Sequence, residues 1–301
     1  MEATIQPVPD STPGILGTAA LPQGLRGDYD RARPDGTLPE GTMERSGEDH
    51  ATWRTLVARQ RAIFPGRAAS AWLEGLDRLR CDSAVPTLHD ASAILRAATG
   101  WELVPCPGLL PDAQFFALLA RRRFPVTEWI RRPEELDYIV EPDIFHDFLG
   151  HVPLLTNPDY ASFLEAYGRL GLDAEARGQL APLARFYWFM VEFGLIAERD
   201  GLRAYGAGIL SSRTETLHAL APQDRPGAPQ RLRFNMARVL RSAYRIDDVQ
   251  PAYFVIRDFA ELYAAIEQAP ALLEDALAAA SIPPGAITPG DVPWGAQNLV
   301  R

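Results

Sequence analysis

The stretch EPDIFHDFLGHVP, Glu141 to Pro153, places two of the chain's five histidines, His146 and His151, five residues apart. On an α-helix, where each residue turns by about 100°, that spacing leaves the rings roughly 140° apart, so they do not face one point. If they converge, the helix must stop between them. Gly150 suits a left-handed C-terminal cap and Pro153 cannot continue a helix. The sequence therefore predicts a helix that carries His146 and breaks before His151, whose ring swings back from the turn. HxxxxH alone is a weak motif, and two separately hydrogen-bonded histidines are the alternative.

A second stretch bears on that choice. In RFYWFMVEFGLIAE, Arg185 to Glu198, Glu192 is the only charged residue between the two ends. A helix apolar on all sides is a buried helix, and a carboxylate inside it is costly unless a cation or a metal meets it. An arginine can supply that partner. Two histidines and one carboxylate also make the facial triad of non-haem Fe(II) sites. Zinc held by His₂Glu is the rival, but zinc proteases place their histidines at i and i+4 with a glutamate beside the first. Here His146 is followed by Asp147 and the second histidine comes one residue late, which favours iron.

Composition narrows the remaining chemistry. The 301 residues are 47% hydrophobic and 23% charged, enough for a buried active site in a soluble chain. A net charge of -9 argues against nucleic acid or an anionic membrane as partner, because phosphate binding needs a basic face. The run Arg121-Arg122-Arg123 reads as a solvated helix end. No basic segment followed by an apolar one opens the chain, and no long uncharged apolar run occurs, so a cytoplasmic protein is expected. Cys81 and Cys106 are too few for a disulfide scaffold or a cysteine-rich metal site and read as buried reduced thiols. Every one of the 30 basic residues counted as Lys+Arg is arginine. Without lysine there is no Schiff base, no pyridoxal-phosphate anchor and no P-loop.

Residues 1–45 hold six prolines and six glycines with few large apolar residues and read as a disordered or loosely packed tail. Ser46 and Asp49 form a capping pair for a helix with the apolar stripe Trp53, Leu56, Val57, Ile63 and Phe64. Helical periods follow at about 68–80, 88–98, 112–122, 134–149, 158–170, 180–198, 229–243 and 257–280. Strand signals are short, at Glu102 to Pro105, Arg203 to Tyr205 and Tyr253 to Ile256. The fold class is mainly α with minor β: one domain over 46–281, then a Pro/Gly-rich tail over 282–301 without heptads.

EPDIFHDFLGHVP, ARFYWFMVEFGL and RAYGAGILSS together resemble, in order and separation, the catalytic domain of the pterin-dependent aromatic amino acid hydroxylases, most closely short bacterial phenylalanine hydroxylases. The resemblance runs from about Glu48 to Phe259. It implies His146, His151 and Glu192 as the Fe(II) ligands, with three open positions on one face. It implies that Arg131 in WIRRP, fifteen residues before His146, binds the substrate carboxylate, for which a planar guanidinium fork is suited. It places a pterin-binding loop at GLLPDAQFF, with Phe115 stacking on the pterin and the Gly108, Leu109 and Leu110 backbone at its polar edge; Asp147 and Tyr187 line the same side. Around the substrate ring it implies Tyr138, Pro142, Trp188, Phe193 and Gly208, with Ser211 and Ser212 near the iron and the amino-acid end. Trp188 matches the phenylalanine enzymes, and Ile246 stands where tyrosine hydroxylases carry an acidic group, which implies an apolar pocket.

The activity so implied is a monooxygenase reaction converting L-phenylalanine to L-tyrosine with O2 and a tetrahydropterin (tetrahydrobiopterin or a related pterin). The same chemistry on the tryptophan 5-position, or at the meta position of phenylalanine, is the near alternative, and a His₂Glu zinc hydrolase the distant one. Animal members add a regulatory domain and a tetramerisation helix. The two short tails leave room for neither, so a monomer is expected.

Overall fold

Helix α1 (Gly47–Arg61) begins at the capping pair expected for it: Ser46 Oγ accepts the Asp49 N–H, and the Asp49 carboxylate accepts the Ser46 N–H. The computed structural model from which the fold is described covers residues 25–39, 44–137, 139, 141–246 and 248–295. After α1 come α2 (Ser70–Leu79), α3 (Leu88–Ala98), strand β1 (Glu102–Cys106), α4 (Asp112–Leu119) and β2 (Arg123–Thr127). A π-helical turn, Phe145–His151, runs into a 3-10 turn, Val152–Thr156, and then into α5 (Pro158–Ala176). Helix α6 (Leu180–Phe186) passes into a second π-helical turn, Tyr187–Glu192, followed by β3 (Leu195–Glu198) and β4 (Gly201–Ala204). The chain closes with α7 (Ala207–Leu210), α8 (Arg213–Ala219), β5 (Gln230–Arg233), α9 (Met236–Leu240), β6 (Ala252–Ile256) and α10 (Phe259–Ala278).

The mainly helical class with minor β is as expected. β1 and β2 pair in parallel, and a four-stranded sheet runs β4-β3-β6-β5, antiparallel only between β3 and β4. Helix α5 is the centre of the core. It packs on α4 and on α10, and its Gly168 and Gly171 let α4 approach so closely that a Cβ on Gly171 would lie 1.9 Å from the Phe116 ring. Among the described residues no helix is long and apolar enough to cross a membrane. Cys81 and Cys106 are free and buried, and burial pushes the Cys81 thiol up to about 12.

Several segments depart from their periodicity. In place of the expected helix over 134–149 there is a 3-10 turn at Pro133–Glu135 and the π turn from Phe145, with no named element among the described residues between them. Pro142 disfavours helical backbone at Glu141, and the Ile144 N–H bonds to the Trp129 carbonyl. The expected helix over 229–243 is split, because Arg231 is drawn in to the Ala219 carbonyl as part of β5 and Asn235 caps a short α9. The stretch 180–198 ends as β3, since Gly194 lies against the Tyr205 ring where any Cβ would collide.

Both expected tails are built in where described. Residues 25–39 pack on the domain: the Leu38 N–H bonds to Pro105 O, and Arg26 reaches Glu141, Glu135 and the Trp129 face. Burial of Leu38 together with these bonds offsets the ordering entropy that composition alone suggested was uncompensated. Residues 282–295 likewise dock, through Ile282 bonds to Arg241 and Ala243 and through an Arg238–Asp291 ion pair at 2.9 Å.

Candidate metal centre and active-site cleft

The five-residue spacing of His146 and His151 is resolved by a change of helix type. A π turn closes i→i+5, which brings the residue five positions on over the first, so both rings face one point without a break. Gly150 is not left-handed, and Pro153 sits inside the 3-10 turn that continues the path. The requirement at Gly150 is space: a Cβ there would meet Ala207 Cβ at 2.9 Å and Ala207 O at 3.0 Å. Its carbonyl accepts the Trp72 indole N–H at 3.1 Å. Glu192 ends the second π turn, where the Phe193 N–H bonds to the Trp188 carbonyl. Gly206 and Gly208 let α7 press on the Glu192 backbone, since Cβ atoms there would lie 2.3 and 3.1 Å from Glu192 O.

Three donors converge. His151 Nε2 lies 3.1 Å from Glu192 Oε1, His146 Nε2 lies 3.5 Å from Glu192 Oε2, and the two Nε2 atoms are 3.4 Å apart. At metal–ligand bonds of about 2.1 Å, donor pairs sit about 3.0 Å apart for right-angle coordination and about 3.4 Å for tetrahedral, so a first-row ion fits this triangle. His146 Nδ1 shares a 2.9 Å hydrogen bond with Ser211 Oγ, which leaves Nε2 free to ligate. The His151 ring lies between Phe124 and Tyr187. Burial works to raise the Glu192 carboxyl, but the two imidazoles and the His151 hydrogen bond outweigh it and hold the group down at about 2. The site thus offers one carboxylate beside two imidazole nitrogens as donors.

One cleft opens on these donors. Gly108, Leu109, Leu110, Phe115, Asp147 and Tyr187, all expected on the cofactor side, line it together with Pro142 and the three donors. Phe115 meets Tyr187 edge-on at 5.5 Å. Gly108 has φ +150°, and a Cβ on it would stand 2.8 Å from the Tyr29 hydroxyl, so glycine is required there. The Asp147 carboxylate accepts the Thr127 N–H at 2.7 Å, and burial pushes its carboxyl up. Cys106, Phe124, Pro125 and Thr127 also line the cleft and were not read from the sequence. Cys106 ends β1 and the other three lie in β2, which gave no strand signal because it follows directly on an arginine run and Pro125 separates its two large apolar residues, Phe124 and Val126.

On the substrate side, Arg131 is buried, but its fork is already engaged. Nε and Nη2 reach the two oxygens of Asp143 at 2.9 and 2.8 Å, and Nη1 faces the Leu136 carbonyl at 3.5 Å. Asp143 is wholly buried and also accepts the N–H groups of Arg131 and His146, which ties the arginine to the first histidine. Burial alone would raise the Asp143 carboxyl; the Arg131 fork and these amides bring it below its ordinary value. A carboxylate three residues before His146 in an apolar stretch was the signal for it. Trp188 stacks on Tyr244 at 4.4 Å and leans on Phe193 at 4.8 Å, and Gly208 lies under the Phe193 ring. Ser211 holds His146, as described, whereas Ser212 caps α8 by accepting the Glu215 N–H. Tyr138 lies outside the described residues. Ile246 is 77% exposed and is not a pocket wall.

A mainly helical domain with two histidines and a glutamate on paired π turns, opening on an aromatic cleft, has donors arranged as in the two-histidine, one-carboxylate class of mononuclear metal sites and could hold one ion. Residues 36–278 match the family model of the biopterin-dependent aromatic amino acid hydroxylases, and the chain belongs to that family. It is 51% identical over 230 residues to the phenylalanine-4-hydroxylase of Chromobacterium violaceum, covering 76% of each chain. It is 47% identical over 259 residues to that of Ralstonia nicotianae, covering 85% of this chain and 82% of the relative. The iron- and phenylalanine-bound crystal structure of the Chromobacterium violaceum phenylalanine hydroxylase superposes with a TM-score of 0.81 at 47% identity, over 87% of this chain and 95% of that one.

Proposed function

We propose that the chain is a phenylalanine 4-monooxygenase that converts L-phenylalanine to L-tyrosine with O2 and a tetrahydropterin at an Fe(II) held by His146, His151 and Glu192. The observation that carries this reading is the triangle of donors opening on the same cleft as Phe115, Tyr187 and the Gly108–Leu110 backbone. Bound there, iron and a pterin would supply the oxidising power that no side chain has. The residues of the chain bind and orient. Phe115 offers a face to the flat cofactor, and Asp147 and the loop backbone offer polar contacts to its edge. Arg131, kept rigid by Asp143, presents its remaining N–H groups to the amino-acid carboxylate, and Trp188 and Phe193 wall the ring. The iron- and phenylalanine-bound structure of the Chromobacterium violaceum relative supports the assignment.

The test is tetrahydropterin-dependent product formation by the iron-loaded chain, with phenylalanine and tryptophan offered separately and para- and meta-tyrosine resolved. Para-tyrosine formed in step with pterin oxidation is the expected result. Meta-tyrosine or 5-hydroxytryptophan as main product would move the assignment within the family, and no pterin-dependent oxygen uptake at all would overturn it. Light scattering of the purified chain checks the monomer we expect.

A further inference from the structure

Gln250, buried just before β6, has all its polar groups engaged. Its Oε1 accepts the indole N–H of Trp188 at 3.0 Å. Its Nε2 donates to the carbonyls of Arg245 at 2.7 Å and Asp248 at 3.3 Å, folding that loop back on itself. Its backbone N–H donates to Glu215 Oε1 at 3.1 Å, and its carbonyl oxygen lies 3.1 Å from His218 Nε2. This amide has one workable orientation. Turned over, it would set NH₂ against the indole N–H and oxygen against two carbonyls.

Trp188 has one polar atom, and Gln250 holds it. The stacking partners, Tyr244 at 4.4 Å and 15° and Phe193 at 4.8 Å and 38°, fix the height and tilt of the indole. Stacking tolerates rotation within the ring plane, so the hydrogen bond to Gln250 is what sets that remaining freedom. The same residue is keyed to the metal side. Glu215, which accepts the Gln250 N–H, also takes the Tyr253 hydroxyl at 2.5 Å, and its own N–H is capped by Ser212, next to the Ser211 that holds His146.

We infer that Gln250 is a positioning residue that sets the substrate preference among aromatic amino acids, by locking the Trp188 ring and with it the room left for the substrate's ring. The inference rests on the reading of Trp188 as a wall of the ring pocket. A locked wall admits a phenyl ring and rejects an indole; a wall free to turn in its plane accepts both more evenly.

The test compares kcat/KM for phenylalanine with kcat/KM for tryptophan in the iron-loaded full chain, for Gln250→Leu, Trp188→Phe and the double variant. A second readout is the indole N–H resonance of Trp188 in ¹⁵N-tryptophan-labelled protein, assigned by its loss in Trp188→Phe. Gln250→Leu is expected to lower the phenylalanine-to-tryptophan ratio about tenfold, the scale of discrimination by pocket fit. It should also shift and broaden the Trp188 signal. In the Trp188→Phe background the same change should move the ratio less than about twofold, because no indole N–H is left to hold.

An unmoved ratio in Gln250→Leu, or an equal shift in both backgrounds, overturns the inference, the latter by showing only general loosening. A ratio moved by Trp188→Phe but not by Gln250→Leu overturns the inference alone. A ratio and phenylalanine KM unmoved by Trp188→Phe overturn the ring-wall reading, and the inference with it. Should Gln250→Leu not fold, Gln250→Glu carries the test. It keeps an acceptor for the indole N–H and loses both Nε2 donors, so the ratio should hold while the melting temperature falls, and a shifted ratio at an unchanged Trp188 signal overturns the inference.

Discussion

Helix α5 and the π turn Phe145–His151 are separated by one 3-10 turn; both bury aromatic residues, but only the π turn also buries a histidine. α5 buries Tyr160, Phe163, Leu164 and Tyr167 and glycine faces set tight against α4. The π turn buries His151 beside Glu192 and sits on Asp143, a carboxylate with no solvent exposure. The first contributes through apolar area and close packing; the second holds polar groups that are tolerable only because each meets a specific partner. Changes in α5 should therefore act on stability and leave kinetics alone, while changes around the π turns act on metal and substrate as well.

The largest effect is expected at Glu192. Glu192→Gln removes the charge that the two imidazoles face, and iron affinity should fall by more than about 100-fold, beyond the usual effect of losing an outer-shell partner. Metal content after dialysis and pterin-dependent tyrosine formation both read this. The substitution also changes the acid behaviour of the metal-free chain. The Glu192 carboxyl, ordinarily at 4.5, is held at about 2 in the fold, so its stabilising contribution is complete above 4.5 and is lost as pH falls from there toward 2. Unfolding midpoints across that window should slope less in Glu192→Gln than in the parent. Equal slopes would mean that the imidazoles do not hold the carboxylate.

Next comes Asp143→Asn, which leaves the Arg131 guanidinium buried with its fork half matched. Breaking a buried pair from one side costs about 3 kcal/mol, read by denaturant unfolding. Because Asp143 holds the fork of Arg131, the proposed partner of the substrate carboxylate, the phenylalanine KM should rise with it. A stability loss with KM unchanged would show that Arg131 does not serve the substrate.

The same contrast explains what could be read before any coordinates. The Ser46 capping box, the three helices from 68 to 122 and the start of α5 follow 3.6-residue periodicity and local capping and lie where these put them, although α5 runs on to Ala176, beyond the expected 170. The three donors were legible as residue types, but not how they meet, because a π turn has a different period and nothing in FHDFLGH announces it. Gly150 and Pro153 suggested a break where the chain only changes helix type. Asp143 and the β2 residues lining the cleft went unread because the role of Asp143 shows only once the chain folds Arg131 onto it, and because β2 follows an arginine run with Pro125 between its two large apolar residues. The ordered parts of the two tails were missed for the same reason: Leu38 and Asp291 find partners that composition does not report.

A pair of glycine substitutions sharpens the comparison at smaller scale. Gly171→Ala drives a methyl to 1.9 Å from the Phe116 ring, and overpacking of this kind costs about 1–3 kcal/mol. The steady-state constants of the surviving folded protein should match the parent. Gly150→Ala meets Ala207 at 2.9 Å, a milder clash, yet it pushes on the turn between His146 and His151. Its melting temperature should drop less than that of Gly171→Ala while its iron affinity drops more. A parallel loss of both properties in both variants would erase the distinction between the two regions.

The smallest expected effect lies at the junction itself. Asn157 caps α5 through Oδ1, which accepts the N–H groups of Asp159 and Tyr160, and it follows directly on the 3-10 turn that continues from His151. Asn157→Ala should cost about 1 kcal/mol, as loss of an N-cap does. The question is which side of the junction feels it. Thr156 is fastened independently, by its hydroxyl to Pro153 O at 2.7 Å, and the neighbouring Leu155 carbonyl accepts the Thr99 hydroxyl at 2.7 Å. The 3-10 turn is therefore braced before the helix begins, so the loss should remain in α5 as a lower melting temperature with iron affinity and phenylalanine KM unchanged. Faster amide exchange confined to the first turn of α5 would agree, and exchange spreading back through Val152 to His151 would show that the helix, and not the brace, holds the second histidine in place.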